Sequence, residues 1–396
     1  MESTNLEKIW QNIIIIFGDE TVVIVVRKNK INTIWLAHRD PMNPKAGGAE
    51  RTIMELCSRL SGMQFEVTVL TAGWKGSKNT ENLKGFKIKR FGNSLLIHFL
   101  VPLFILKNKP DIIIDDLGHA IPWPSTPLLR KKTIVFFRHL HARSLPGQVN
   151  KVLAYLITAI EKCYFIIYPH NIFVTESTTS VNDLLHLGIE GKNILQIPPG
   201  VDLNLYRKRK KTADPTIIYF GGMRKYKRPA EVIYVFNDLA GRIQTLKLIM
   251  IGAGSELQSL RELANTYGLD DRITFTGRVT DEVLALKVSE SWLNIHTSVT
   301  EGWGYSITEA SGAGTPTVAY SVPGVADAIE DGINGIKVKD GDRKALTDAA
   351  IKILSSPETW WALSEKVGEK YSWNKTAQSW ENLILQVTGK QNFKMT

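Results

Sequence analysis

From Ile31 onward the chain alternates short apolar runs with longer segments whose apolar positions recur at helical spacing. Strands are predicted at Thr33–Ala37, Glu66–Leu70, Asp111–Asp115, Thr133–Phe137 and Ile172–Thr175, with a helix starting near Ala49. Alternation of this kind argues for a parallel sheet covered on both faces. The pattern breaks at Ile197-Pro198-Pro199-Gly200-Val201-Asp202 and the basic stretch Arg207–Lys211, then restarts with strands at Thr216–Phe220, Leu246–Ile251, Ile273–Thr276, Trp292–His296 and Thr317–Ala319. An α/β protein of two Rossmann-like domains is therefore expected, over residues 31–197 and 198–371, facing each other across a cleft. In such sheets ligands bind at the carboxyl ends of the strands, so functional residues should lie on the loops that leave them. In the tail, residues 372–396, the run Ser372–Gln386 with Trp373, Trp380, Leu383 and Leu385 reads as an amphipathic helix. Residues 1–30 hold two β-branched runs around Gly18-Asp19-Glu20, a candidate β-hairpin whose halves are too short to span a bilayer.

Composition narrows the class without naming a reaction. A chain of 396 residues, 43% hydrophobic and 22% charged, fits a globular protein of about two to three domains. Cys57 and Cys163 offer neither a disulfide framework nor metal-ligand spacing, so both are expected as small core residues in a reducing compartment. The start, Met-Glu-Ser-Thr, lacks the basic lead of a secretory signal, and a cytoplasmic location is expected. A net charge of +10 implies an anionic partner. The cations are scattered, without stacking motifs or zinc-finger spacing, which disfavours nucleic acid. The apolar run Ser94–Leu106 is edged by Lys84, Lys87, Lys89 and Arg90 before it and by Lys107 and Lys109 after it. That pattern fits peripheral binding at the cytoplasmic face of an anionic membrane, and equally a core helix with a solvated basic end.

The string from Ser298 to Val318 carries the most chemistry. Glu301 and Glu309 stand around a bend at Gly302 and Gly304, between the strand Trp292–His296 and a helix over Tyr305–Ala313. Unpaired N–H groups at such a helix start attract phosphate, and carboxylates at its rim accept hydrogen bonds from sugar hydroxyls. Either glutamate alone would ordinarily be a solvated surface acid. The Gly-Ala-Gly-Thr-Pro turn that follows, leading straight into another strand, changes the reading.

With that turn the string resembles family 4 of the retaining glycosyltransferases, whose signature is two glutamates separated by seven residues and then Gly-Thr-Pro. The likeness extends from Ile31 to the last helix. It implies the two-domain GT-B fold, with the tail helix crossing back to the first domain. It also implies hexose transfer from a nucleotide-diphosphate sugar to a glycan or lipid-linked acceptor, with retention at the anomeric carbon and without a metal or other cofactor. The family usually places an arginine directly after the first glycine of the loop Gly221–Pro229 and a lysine five residues beyond it. Lys227 matches the lysine, whereas Gly222 occupies the arginine position, and Arg224 is the candidate replacement.

Under the resemblance Lys227 and Arg224 would stabilise the departing diphosphate, together with the N–H groups of Gly304, Tyr305 and Ser306. Glu309 would grip the ribose and Glu301 the hexose, with His139, chosen over His141, near the transferred sugar. Arg278 and Val279 would flank the base, and Gly47 and Gly48 would contact the donor from the first half. No carboxylate pair suited to double displacement is evident, so a same-face reaction is expected, in which the donor phosphate takes the acceptor proton. A nucleotide-sugar epimerase or phosphorylase of the same fold, and an inactive membrane- or nucleic-acid-binding relative, stay open at this point.

Overall fold

The computed structural model describes residues 30–94, 96–118, 121–123, 132–143 and 150–390, and the backbone alone of 13–18 and 21–26. Two compact units divide the chain: Met1–Asp115 with Trp123–Thr133 and Ile384–Thr396, and Asp116–Pro122 with Ile134–Leu383.

In the first unit β1 (Ile13–Gly18) and β2 (Thr21–Val26) pair antiparallel. The strands β3 (Ile31–Leu36), β4 (Phe65–Thr71), β5 (Thr80–Leu83), β6 (Phe86–Arg90) and β7 (Ile112–Asp116) stand in the order β7-β3-β4-β6-β5. All neighbours are parallel except β5 and β6. The centre strands are buried on both faces, as their unbroken apolar sequence requires. The apolar run after β6 folds as a helix, Ile97–Asn108, with one side in the core and the other exposed. Ile97, Val101 and Ile105 join Leu36, Leu70, Ile113 and Trp123 in a core cluster, while Phe99 is 74% and Leu103 63% exposed. One cation expected on the solvated flank is instead buried. Arg90 donates to both carboxylate oxygens of Asp40, at 2.8 and 3.0 Å, and pairs with Glu81.

In the second unit β8 (Thr133–Phe137), β9 (Ile172–Thr175) and β10 (Ile194–Gln196) run parallel in the order β10-β9-β8. Six further parallel strands follow: β11 (Thr216–Phe220), β12 (Lys247–Ile251), β13 (Ile273–Gly277), β14 (Leu293–His296), β15 (Thr317–Tyr320) and β16 (Gly335–Val338). Their order is β13-β12-β11-β14-β15-β16. The Pro229–Ala240 helix buries Val232, Val235, Phe236 and Leu239 in the core cluster that includes Ile217 and Leu248. The tail helix is Trp373–Thr388, and Trp380 meets the Phe136 ring of β8 edge-on at 5.1 Å, so the tail returns to a strand from the first half of the sequence. The cysteines depart from expectation. Cys57 is buried, but Cys163 is exposed because it sits at the break between the helices Lys151–Lys162 and Tyr164–Ile167.

Each unit has a strand where the order of connection reverses: β3, between β7 and β4, and β11, between β12 and β14. Ligand sites of open parallel sheets form at the carboxyl ends of such strands.

Candidate functional site

At the carboxyl end of β11 the loop Gly221–Arg228 is held in place by the next strand's exit. Gly221 N–H donates to the Ile251 carbonyl and Met223 N–H to the Ala253 carbonyl, each at 3.0 Å. A Cβ on Gly252 would lie 1.9 Å from the Gly221 oxygen, and one on Gly254 2.0 Å from the Met223 oxygen. The Gly252-Ala253-Gly254 string is thus a backbone seat for this loop. The loop ends in a turn at Lys225–Lys227 that is tied to the exit of β14. Val299 N–H reaches the Tyr226 carbonyl at 2.9 Å, the Thr297 hydroxyl donates to the Lys227 and Arg228 carbonyls, and Arg228 donates to the Thr297 and Ser298 carbonyls.

These ties bring Lys227 onto Glu301, across 74 residues of sequence. The Lys227 ammonium and the Ser298 hydroxyl, the latter at 2.6 Å, both donate to Glu301 Oε1, and His296 Nε2 lies 3.3 Å from the same oxygen. Burial opposes charge on Glu301, but the Lys227 ammonium and His296 hold its carboxyl well below the usual range. Lys227 is held above its ordinary value by Glu301 despite its own desolvation. Among the described residues the contacts of Glu301 all fall on Oε1, and Oε2 has no hydrogen-bond partner. Arg224 is exposed at the head of the turn, with its Cγ and Nε 3.9 Å from where a Gly222 side chain would begin. Its side chain therefore lies within van der Waals reach of the Gly222 position.

The bend after Glu301 leads into the Tyr305–Gly312 helix, whose N-cap Gly304 has φ 93° and supplies no side-chain cap. Only glycine takes that conformation without strain. A second glycine makes the bend possible from outside, since a Cβ on Gly324 would lie 2.1 Å from the Glu301 oxygen. Ser306, on the first turn, is 3.0 Å from His296 Nδ1, so His296 links the helix start to Glu301. Glu309 is buried, 7% exposed, on the same helix. Arg278 is exposed just past β13, and Val279 packs against the core cluster that includes Val201 and Ala285.

His139 joins this group. A Cβ on Gly302 would meet the Arg138 carbonyl at 3.2 Å and His139 Nδ1 at 3.7 Å. Burial, reinforced by the neighbouring His141 and partly offset by Glu301, pushes the His139 imidazole down to about 3. His141 stacks on it with ring centres 4.8 Å apart, and is anchored by its backbone N–H to Glu161 at 2.6 Å. Beneath His139 lies a buried ion cluster of Arg138, Asp116, Glu176 and the Tyr305 hydroxyl. Sequence reasoning passed over Arg138, Asp116, Glu176, Ser298 and His296. Their signal was polar or ionisable residues at the carboxyl ends of apolar strands, Asp116 on β7, Glu176 after β9 and His296 on β14.

Gly47 and Gly48 lie on the first unit at the start of the helix Gly48–Ser61. Gly47 N–H is already taken by Glu50 Oε2 at 2.7 Å, and Glu50 Oε1 pairs with Arg39 at 3.0 Å.

Residues 46–205 match the model of Glycosyltransferase Family 4, and residues 204–370 that of Glycosyl transferases group 1. Among curated proteins, N-acetyl-alpha-D-glucosaminyl L-malate synthase of Bacillus anthracis is 24% identical over 56% of this chain and 61% of its own length. A GDP-mannose-dependent alpha-(1-6)-phosphatidylinositol monomannoside mannosyltransferase of Mycobacterium tuberculosis is 25% identical over 78% of this chain and 86% of its own. The chain spans about half the length of the curated relatives it matches first, 61%, 47% and 55%. Among solved structures, sucrose-phosphate synthase from Thermosynechococcus elongatus superposes with a TM-score of 0.78 at 18% identity, over 91% of this chain and 100% of that one. At that identity the likeness speaks for the fold, the GT-B arrangement of two parallel-sheet α/β domains.

Proposed function

Because the chain belongs to the group 1 glycosyltransferases of family 4, its two halves matching the two models end to end, we propose that it moves a hexose from a nucleotide-diphosphate sugar to a glycan or lipid-linked acceptor, with retention. The observation that carries this reading is the Lys227–Glu301 pair beside the uncapped start of the Tyr305–Gly312 helix, at the switch point of β11 and β14. A diphosphate brought there meets the ammonium of Lys227, the exposed guanidinium of Arg224 and the N–H groups of Gly304, Tyr305 and Ser306. Those groups stabilise the charge that builds on the leaving diphosphate, the usual largest source of rate in such transfers. Glu301 Oε2 and the neutral His139 face the hexose hydroxyls, Glu309 grips the ribose, and Arg278 and Val279 flank the base. The reading keeps residues 31–197 as the acceptor-side domain and 198–371 as the donor-side domain.

With positive charge supplied by Lys227 and Arg224, the reaction as proposed uses no metal. The acceptor side rests on the first unit's Ile97–Asn108 helix, whose exposed Phe99, Leu103 and Leu106 are bordered by Lys107 and Lys109. An apolar face edged by cations suits an anionic bilayer surface and a lipid-linked acceptor, with the protein peripheral at the cytoplasmic face. The M. tuberculosis relative is, by its name, GDP-mannose-dependent and a phosphatidylinositol monomannoside mannosyltransferase. A thermal-shift screen against UDP, GDP, ADP and their hexose derivatives tests the donor. A ligand at a hundred times its dissociation constant should stabilise the protein by about 2.7 kcal/mol. No shift with any of them would sink the reading. An inverted anomer in the NMR spectrum of the product would remove the retaining assignment, and unchanged sedimentation with phosphatidylglycerol vesicles would remove the membrane one.

A further inference from the structure

The buried cluster under the proposed donor site carries more charge than packing needs. Arg138 donates from Nε and Nη2 to the two oxygens of Asp116, at 3.0 and 2.7 Å, and from Nη1 to Glu176 Oε1 at 3.0 Å. The Tyr305 hydroxyl donates to the same Glu176 oxygen. Arg138, Asp116 and Glu176 are 4%, 2% and 1% exposed, so two acids share one guanidinium in a dry interior, and burial pushes the Glu176 carboxyl up despite the pull of Arg138. Buried ion pairs cost desolvation that attraction only partly returns, which makes them poor stabilisers and good setters of geometry. A guanidinium fork is rigid and fixes the orientation of each carboxylate it holds.

What this cluster joins is specific. Arg138 immediately precedes His139, and its carbonyl, which accepts the Ser180 hydroxyl at 3.2 Å, lies a tight 3.2 Å from where a Gly302 side chain would begin. Tyr305 is the first residue of the helix that starts at Gly304. A second tie runs parallel to the first: Asp327 accepts the Thr179 hydroxyl at 2.6 Å and the Thr178 N–H at 3.2 Å, two residues past Glu176.

We propose that the Arg138–Asp116–Glu176–Tyr305 cluster is a positioning device, holding the His139 loop in register with the Gly302–Tyr305 helix start so that hexose and diphosphate are presented together. Glu176 and Arg138 are positioning residues and touch no reacting atom. The catalytic consequence rests on the donor-site reading; the positional one does not.

Tyr305→Phe removes one hydroxyl and keeps the ring, and Glu176→Gln keeps shape while removing charge. The first readout is imidazole NMR of His139 in the unliganded full chain. His139 faces His141, Glu301, Arg138 and Lys227, and titrates at about 3 while held buried. Release of the loop should raise that titration by about one unit or more toward its solvated value. The second readout is hydrolysis of UDP-glucose and of GDP-mannose, where misplacement of the order of 1 Å should lower kcat roughly 10- to 100-fold with KM little changed. If Glu176→Gln does not fold, Tyr305→Phe decides. Wild-type His139 titration and wild-type turnover in folded Tyr305→Phe would overturn the proposal. A raised His139 titration in a protein that binds neither UDP nor GDP would sustain the positioning role and sink the donor reading instead.

Discussion

Two glycine-led helix starts in this chain look alike in sequence and differ in what they leave open. At Gly47–Gly48 the Glu50 side chain folds back onto the Gly47 N–H at 2.7 Å, and Arg39 neutralises the carboxylate from the other side. The positive end of that helix is already satisfied by the chain's own anion. At Gly304–Tyr305 no side chain caps the helix, and the acid that precedes it, Glu301, is turned to Lys227. The first start offers a ligand close backbone approach; the second also offers unspent positive charge. A glycine before a helix is therefore a permissive signal, and the residue three positions on decides whether an external phosphate has anything to gain.

The harshest test of that contrast is Lys227→Ala, which strips the cation from the open start. Turnover per folded molecule should fall about 100- to 1000-fold, measured as nucleoside diphosphate released on adding acceptor; near-normal transfer would remove Lys227 from the site. Next is acid. His139 is depressed to about 3 from an unfolded value of 6.5, so the unfolded chain binds the proton first and stability is lost as pH falls from about 6.5 toward 3. Glu301, also depressed, adds a loss of the same sign as pH falls below its unfolded value of 4.5. Urea unfolding at pH 7 and pH 5 should show the fall, and His139→Gln should reduce it, with the depressed His38 and His98 keeping a remainder; an unchanged slope would mean the imidazole is not buried neutral. Glu309→Ala should weaken UDP or GDP binding about tenfold, near 1.4 kcal/mol by calorimetry, and equal affinity would count against a ribose grip. The smallest effect belongs to the closed start. Glu50→Ala should cost about 1 kcal/mol of stability through the lost cap and leave nucleotide affinity within about twofold. A large loss of affinity there would make the two starts equivalent after all.

Most of the architecture was legible because buried parallel strands need unbroken apolar runs and the chain punctuates them with Gly and Pro. Most strands on either side of the Pro-Gly break were found in this way, whereas β5, β6, β10 and β16, short and none of them buried along its whole length, carried no such signal. The site was half legible. Glu301, Lys227 and the Gly304 start stand on local motifs, and the structure brings them together. The Arg138 cluster was not, because a lone arginine after a strand reads as solvated until its partners 22 and 38 residues away are placed.

The sequence by itself determined the repeated strand and helix grammar, the turn that Gly304 alone can make, and the identity of the acids and bases at the strand ends. Periodicity and backbone conformational preference are local, and they survive without coordinates. Only the tertiary structure decided which charges meet: that Lys227 is paired with Glu301, that Arg90 and Arg138 are buried between carboxylates instead of solvated, and that Glu50 closes one helix start while the other stays open. Ion pairing depends on distance and desolvation across the fold, and neither is written in the spacing of residues along the chain.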